Sequence, residues 1–337
     1  MLENETFEEF PKWYQISMHI SASITIPINI FGLIMIAFFS KAQMKNYRYY
    51  LLFHQICSML SDIIINTGTL PVIYSPYAIG TPYGWMSWVF KLVLGVENST
   101  WLQAEIAFFG ILMAALSVEL LFFYRYQVIL PLNHPWKLAK FSKFLSIFIY
   151  QLIWVFLVSI SFHYTVSKEQ TGVKNQFRKA HPDLAFFVQN QNSLIVATDV
   201  NLNVFLFLCF CFIRLGSGAI LCWILIILSR HALDNMVISA KTRNMHLTLI
   251  RHLCYQVSVP LSAFYIPILV LISPLVFEIH NTFYSGLISL NIVSYHTFFG
   301  TFSLLYFNRP WKFRNIFTKK KYSAKLEILN TSNSWRR

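Results

Sequence analysis

Four polar side chains recur every fourth residue inside an otherwise apolar stretch: His54, Ser58, Asp62 and Asn66. On a helix this spacing lays them along one face. They read either as a hydrogen-bonding stripe packed against neighbouring helices, or as a buried polar switch or ion site with His54 and Asn66 beside Asp62. Glu105 and Glu119 are 14 residues apart on one predicted helix, which puts them on one face about 21 Å apart along the axis. Glu105, near the outer end, contacts either a ligand in an outward-opening cavity or a structural partner on another helix. Arg214 interrupts a further apolar stretch. It has three readings: partner of an acid on another helix, snorkelling side chain, or ligand contact. Gly216, Ser217 and Gly218 beside it would let helices approach closely.

Several other chemistries lack their residues. There is no HExxH zinc motif. Cys209 and Cys211, two apart on a helix, face different directions and suit no metal. An intramembrane aspartyl protease needs two embedded aspartates, and only Asp62 qualifies. The segment Tyr284–Phe307 holds no lysine for a retinal Schiff base. No enzymatic activity, metal or cofactor is therefore expected. Cys57, Cys209, Cys211, Cys222 and Cys254 all lie in or beside apolar runs. They are expected to pack as small apolar residues, with no extracellular disulfide framework.

The elements that position these groups are seven apolar runs, near Tyr14–Phe39, Tyr49–Tyr74, Gln103–Tyr124, Phe144–Tyr164, Phe205–Leu228, Leu253–Phe277 and Tyr284–Phe307. Each is close to the roughly 20 residues that a helix needs to cross a bilayer core. The chain is 56% hydrophobic and 12% charged, against about 25% charged in soluble domains. An all-α membrane protein is expected, with a seven-transmembrane helix bundle over 14–307, an outer N-terminal segment 1–13 and a basic tail 308–337.

The net charge of +13 does not form a nucleic-acid surface, because nine of the 27 basic residues follow Asn308 and most others sit in short loops. The odd-numbered loops and the tail hold 20 Lys and Arg, against six on the opposite side. The positive-inside rule then places the tail in the cytoplasm and the N-terminus outside. Glu3, Glu5, Glu8 and Glu9 precede the first run without a basic n-region, so that run is expected to act as its own insertion signal. Sequons at Asn4 and Asn98 would lie outside as glycosylation candidates, and a third at Asn330 would be cytoplasmic. The connection from Thr165 to Asn203 is too polar to span and is expected to be a functional or mobile loop. Pro260, Pro267 and Pro274 share nearly one face of the sixth run and mark it as a candidate moving element. In the tail, Trp311, Phe313, Ile316 and Phe317 alternate with basic residues, which suggests a short amphipathic helix on the inner leaflet.

Such an architecture suits a receptor coupling an outer ligand site to inner loops. A transporter or channel is the alternative, for which repeated halves with broken helices would be expected.

Specific motifs add to this reading. Asn46-Tyr47-Arg48-Tyr49-Tyr50-Leu51-Leu52 is followed by Gln55-Ile56 and Ser61-Asp62. Ser239-Ala240-Lys241-Thr242-Arg243 is followed by His246, Gln256 and Pro260, and the seventh run ends in Tyr306-Phe307-Asn308-Arg309-Pro310-Trp311-Lys312-Phe313. Together, from about Trp13 to Phe317, these resemble nematode serpentine chemoreceptors, nearest serpentine receptor class I, with class H close. The resemblance implies a seven-helix G-protein-coupled receptor serving chemosensation at the plasma membrane of a sensory neuron or its cilium. It implies a small-molecule ligand, a heterotrimeric G protein, and Arg125, Lys241 and Arg243 as G-protein contacts. Two features depart from rhodopsin-like receptors. Phe122-Phe123-Tyr124-Arg125-Tyr126 has no acid immediately before the arginine, and neither the third span nor the second outer loop has a cysteine to join them.

Overall fold

Where no water is present to bond the backbone, a long apolar run closes its N–H and C=O groups internally as a helix. The computed structural model describes residues 11–39, 46–74, 78–131, 133–166, 170–182, 185, 188–190, 192–197, 202–236, 239–277, 279 and 283–308. In chain order these form α1 (Lys12–Phe39), α2 (Tyr47–Ile63) continuing into a π-helical turn (Ile64–Thr69), β1 (Pro71–Tyr74), β2 (Ala78–Pro82) and α3 (Trp85–Leu94). They continue with α4 (Val96–Ile129), α5 (Lys140–Thr165), α6 (Gln170–Ala180), β3 (Leu194–Ala197), α7 (Leu202–Asp234), α8 (Ala240–Phe277), α9 (Phe283–Ser294) and α10 (His296–Asn308).

Four segments, Lys12–Phe38, Ser99–Ile129, Phe148–Thr165 and Leu202–Asp234, are each long and apolar enough to cross a membrane. Three further rods stand beside them: α2 with its π turn, α8, and α9 followed by α10. Helix α8 runs from Ala240 to Phe277 across all three of its prolines. The rods close into a bundle, with α2 against α1 and α4, α4 against α7, α7 against α5, α8 against α9 and α10, and α10 back on α1. Phe38, Phe156, Trp223, Ile266 and Phe302 are exposed on the outer faces, as a hydrocarbon solvent requires.

One end of the bundle differs from the sequence expectation. The second run was expected to stay helical to Tyr74, but the helix stops at Thr69. Leu70 then takes a left-handed conformation (φ 42°) and the chain turns into β1. The Thr165–Asn203 connection, expected as a loop, contributes α6 and β3. The three strands form an antiparallel sheet in the order β1-β2-β3. The return after β2 needs a glycine at position 84: a Cβ on Gly84 would lie 2.6 Å from the Thr67 carbonyl and closer still to that of Gly68. A core of Tyr14, Ile65, Val72, Ile79, Phe177 and Ile195 joins the sheet to the helix ends. A second core, with Leu51, Leu121, Tyr126, Leu225 and Leu304, fills the opposite end.

Candidate functional site

The sheet roofs a cavity of about 370 Å³. Its walls come from the π turn, α4, α5, α7, α8 and α9, and its ceiling from β1, β2 and β3. Phe108, Phe162 and Phe207 meet edge-on or tilted at centroid distances of 5.3 to 5.5 Å and form one aromatic wall. None of the described lining residues is Asp, Glu, Lys, Arg or His. Two polar groups in the lining, Thr81 Oγ1 and Gln103 Nε2, are buried without a hydrogen-bond partner in the protein. A volume and lining of this kind match small-molecule sites, which are mostly apolar with few polar groups.

The roof is held without a disulfide. Thr100 Oγ1, at the start of α4, donates to the Asn192 carbonyl at 2.9 Å. The Gln170 amide acts as a further strand beside Ile195: its Nε2 donates to the Ile195 carbonyl at 3.1 Å, and its Oε1 accepts the Ile195 N–H at 3.0 Å. The Tyr14 hydroxyl, near the start of α1, donates to the Pro71 carbonyl at 2.8 Å.

Below the cavity the polar stripe divides. His54 Nδ1 lies 2.8 Å from Ser117 Oγ on α4. Asp62 and Asn66 turn instead toward α1 and the α9–α10 rod: Asn66 Nδ2 donates to Asp62 Oδ1 at 2.9 Å, and Asn29 Nδ2 lies 3.5 Å from Asp62 Oδ2. The centre of this network is Gln55, whose Nε2 reaches Asn29 Oδ1 at 3.0 Å and Thr301 Oγ1 at 2.7 Å. Gly32 makes the approach of α1 and α10 feasible, because a Cβ there would stand 2.7 Å from the Thr301 methyl. Asn29 and Thr301 have no place in the sequence reading, and Gln55 has one only within the Gln55-Ile56 motif. A usable signal was present for Gln55, which stands seven residues, two helical turns, before Asp62.

Arg214 is fully buried and pairs with Glu119, Nη1 to Oε1 at 2.6 Å. Its Nη2 donates to Gln151 Oε1 at 3.1 Å, and its guanidinium lies 5.5 Å from the Tyr150 ring centroid. Of the readings open for Arg214, the structure shows the pairing with an acid from another helix. The close approach falls at Gly218, where a Cβ would sit 2.9 Å from Arg214 Nη1 and closer to Glu119 Oε1, whereas Gly216 faces open space. Neither Arg214 nor Glu105 lines the large cavity. Glu105 borders a small adjacent cleft with Phe108 and Val158.

At the end opposite the sheet, the Arg125 guanidinium sits over the Tyr47 ring, 3.6 Å from its centroid. Tyr124 stacks beside Tyr47 and meets Tyr50 at 4.4 Å. His246, in the part of α8 that precedes its apolar run, is pushed below the usual histidine pKa by burial and then by the Arg125 charge. Lys241 is exposed, and Arg243, also exposed, forms an ion pair with Asp234 at the α7–α8 junction. Lys137 Nζ, in the connection before α5, donates to the Leu130 carbonyl at 2.7 Å, and Gln127 Nε2 reaches the Trp136 carbonyl at 2.8 Å. Arg125, Lys241 and Arg243 thus belong to the same end of the bundle, where the α4 terminus, the α2 start and the α7–α8 junction lie. Asn98 falls in the first turn of α4, at the sheet end. Asn4 and the tail motif lie outside the described residues.

A family model described as serpentine type 7TM GPCR chemoreceptor Srh matches residues 9–320. The motifs quoted above point first to class I and then to class H; the matching model is that of Srh. No curated protein matches the chain.

Proposed function

Because the chain belongs to the Srh family of serpentine 7TM GPCR chemoreceptors, we propose that it is a plasma-membrane receptor of a sensory cell. It binds a small environmental molecule in the cavity beneath the sheet and signals to a heterotrimeric G protein at the opposite end. The observation that carries this reading is the two-ended character of α4: Gln103 lines the cavity and Arg125 is clasped at the far end. Their separation of 22 positions spans about 33 Å of helix. In this reading the sheet end faces outside, with Asn4 and Asn98 as glycosylation sites, and Arg125, Lys241 and Arg243 face the cytoplasm as G-protein contacts.

A cation held over a desolvated aromatic ring is worth about 2 kcal/mol. Releasing Arg125 from Tyr47 toward a partner costs on that scale, so the empty receptor stays mainly in the clasped state. A ligand shifts the balance only by the difference between its affinities for the two states. The Asn29–Gln55–Thr301 network and the Asp62–Asn66 pair join α1, α2 and α10 at mid-bundle and act as the polar switch between the ends. Glu105 tunes the cavity from its flank, and Arg214 sets the α4–α7 spacing that both ends depend on.

The test is a calcium response assay in cells expressing the full chain, screened with volatile and water-soluble odorants. Arg125→Ala, or Lys241→Ala together with Arg243→Ala, abolishes the response while surface expression and ligand binding persist. Ala107→Trp, which fills the cavity, removes binding itself. Unchanged signalling in all of these variants overturns the reading.

A further inference from the structure

The cavity carries more information than its size. At about 30 Å³ per water-sized group, its 370 Å³ accommodates roughly a dozen non-hydrogen atoms. Among the described residues its walls bring no charge of either sign, so an ionised ligand would lose its hydration without a counter-charge. What the walls do bring is two hydrogen-bonding groups without protein partners, Gln103 Nε2 and Thr81 Oγ1, on residues that are each only 1% exposed. The other end of the Gln103 amide is engaged: Ser87 Oγ lies 3.2 Å from Gln103 Oε1 and also 3.2 Å from the Pro82 carbonyl. With the Oε1 end facing Ser87, the amide N–H is the end left without a partner, on a residue of the cavity wall. An N–H among apolar walls is costly until an acceptor arrives.

Taking the cavity as the ligand site proposed above, we infer that it selects a neutral, mainly hydrocarbon molecule of about a dozen non-hydrogen atoms with one carbonyl or hydroxyl oxygen. That oxygen accepts a hydrogen bond from Gln103, and the Thr81 hydroxyl serves as a second polar contact. A hydrocarbon of the same length fills the walls but leaves the Gln103 N–H bare, so it binds more weakly. Ionised analogues are rejected.

The experiment uses the purified full chain in lipid nanodiscs with four probes of one chain length: 2-decanone, decane, decanoate and decylammonium. Binding is read as affinity and as the shift in thermal midpoint, for the wild type, Gln103→Met, Gln103→Leu and Ala107→Trp. The ketone is expected to bind about tenfold more tightly than the alkane, the difference made by one well-placed hydrogen bond, and the two ions not at all. Gln103→Met and Gln103→Leu erase the ketone's advantage yet raise the midpoint of the empty receptor, because each removes an unpartnered amide while the single Ser87 proton turns to the Pro82 carbonyl. A purely structural glutamine would lower that midpoint instead. Two apolar replacements of different shape keep the comparison independent of one packing outcome. Binding of decanoate or decylammonium that is lost in Ala107→Trp overturns the ligand class and leaves the cavity as the site. Ketone binding that survives Ala107→Trp overturns the cavity reading itself. Ketone binding indifferent to both Gln103 variants, or no binding by the ketone, overturns the inference.

Discussion

At the scale of single residues, the most consequential pair is Glu119 with Arg214, buried at 3% and 0% exposure. Two opposite charges there are tolerable only together, and stranding one is expected to cost about 3–5 kcal/mol. Glu119→Met alone should therefore sharply reduce surface expression and thermal stability, while Glu119→Met combined with Arg214→Met recovers most of both. Equal losses in the single and double variants would show that the two charges do not depend on each other. Gly218→Ala should mimic the single variant, since its Cβ would intrude on the ion pair. Both charged residues were conspicuous in the sequence, but their pairing was not. They are 95 residues apart, and helical periodicity relates only near neighbours along one rod. The same limit hid Asn29 and Thr301, each an ordinary polar residue until α1, α2 and α10 bring them to Gln55.

At the scale of elements, the helices were readable because a run of twenty apolar residues has few other structures open to it. The sheet was not, because its strands are four or five residues long, β1 lies within the apolar second run and β3 within a polar connection. Signals were nevertheless present. Gly68 and Pro71 bracket the point where the second run leaves the helix, and Leu194-Ile195-Val196-Ala197 is an apolar, partly β-branched patch in a polar stretch. Among the bonds that hold the roof, the Gln170 side chain carries two to the Ile195 backbone. Gln170→Leu should leave the rods intact but expose the Ile195 amide. Hydrogen exchange in the segment 194–197 is expected to speed up by about tenfold or more, the scale of losing one well-formed bond in a locally opening unit. Exchange as slow as in the wild type would mean that strand pairing alone secures β3. Because β3 lines the cavity, the same variant should weaken binding of any cavity ligand in parallel.

For the whole molecule, the proposed orientation rests on how charge is distributed around the bundle. Twenty basic residues fall in the odd-numbered loops and the tail, and six on the other side. Lys and Arg are retained on the cytoplasmic side during insertion, and on that ground the proposed topology turns the sheet and cavity outward. In the proposed orientation the cavity end, uncharged among its described lining residues, meets the medium, whereas the end with Lys241 and Arg243 exposed beside the clasped Arg125 meets the cytoplasm. A receptor inserted the other way would offer its basic end to the medium and its ligand chamber to the cytoplasm. An epitope placed before Glu9 should therefore label on intact cells, and one appended after Arg337 only after permeabilisation. Asn4→Gln should remove a glycan-dependent mobility shift, since an enzyme in the lumen reaches that sequon only when the N-terminus is translocated. Labelling of the tail on intact cells would place the cavity on the cytoplasmic side, where no environmental molecule arrives directly, and the receptor assignment would fail with the topology.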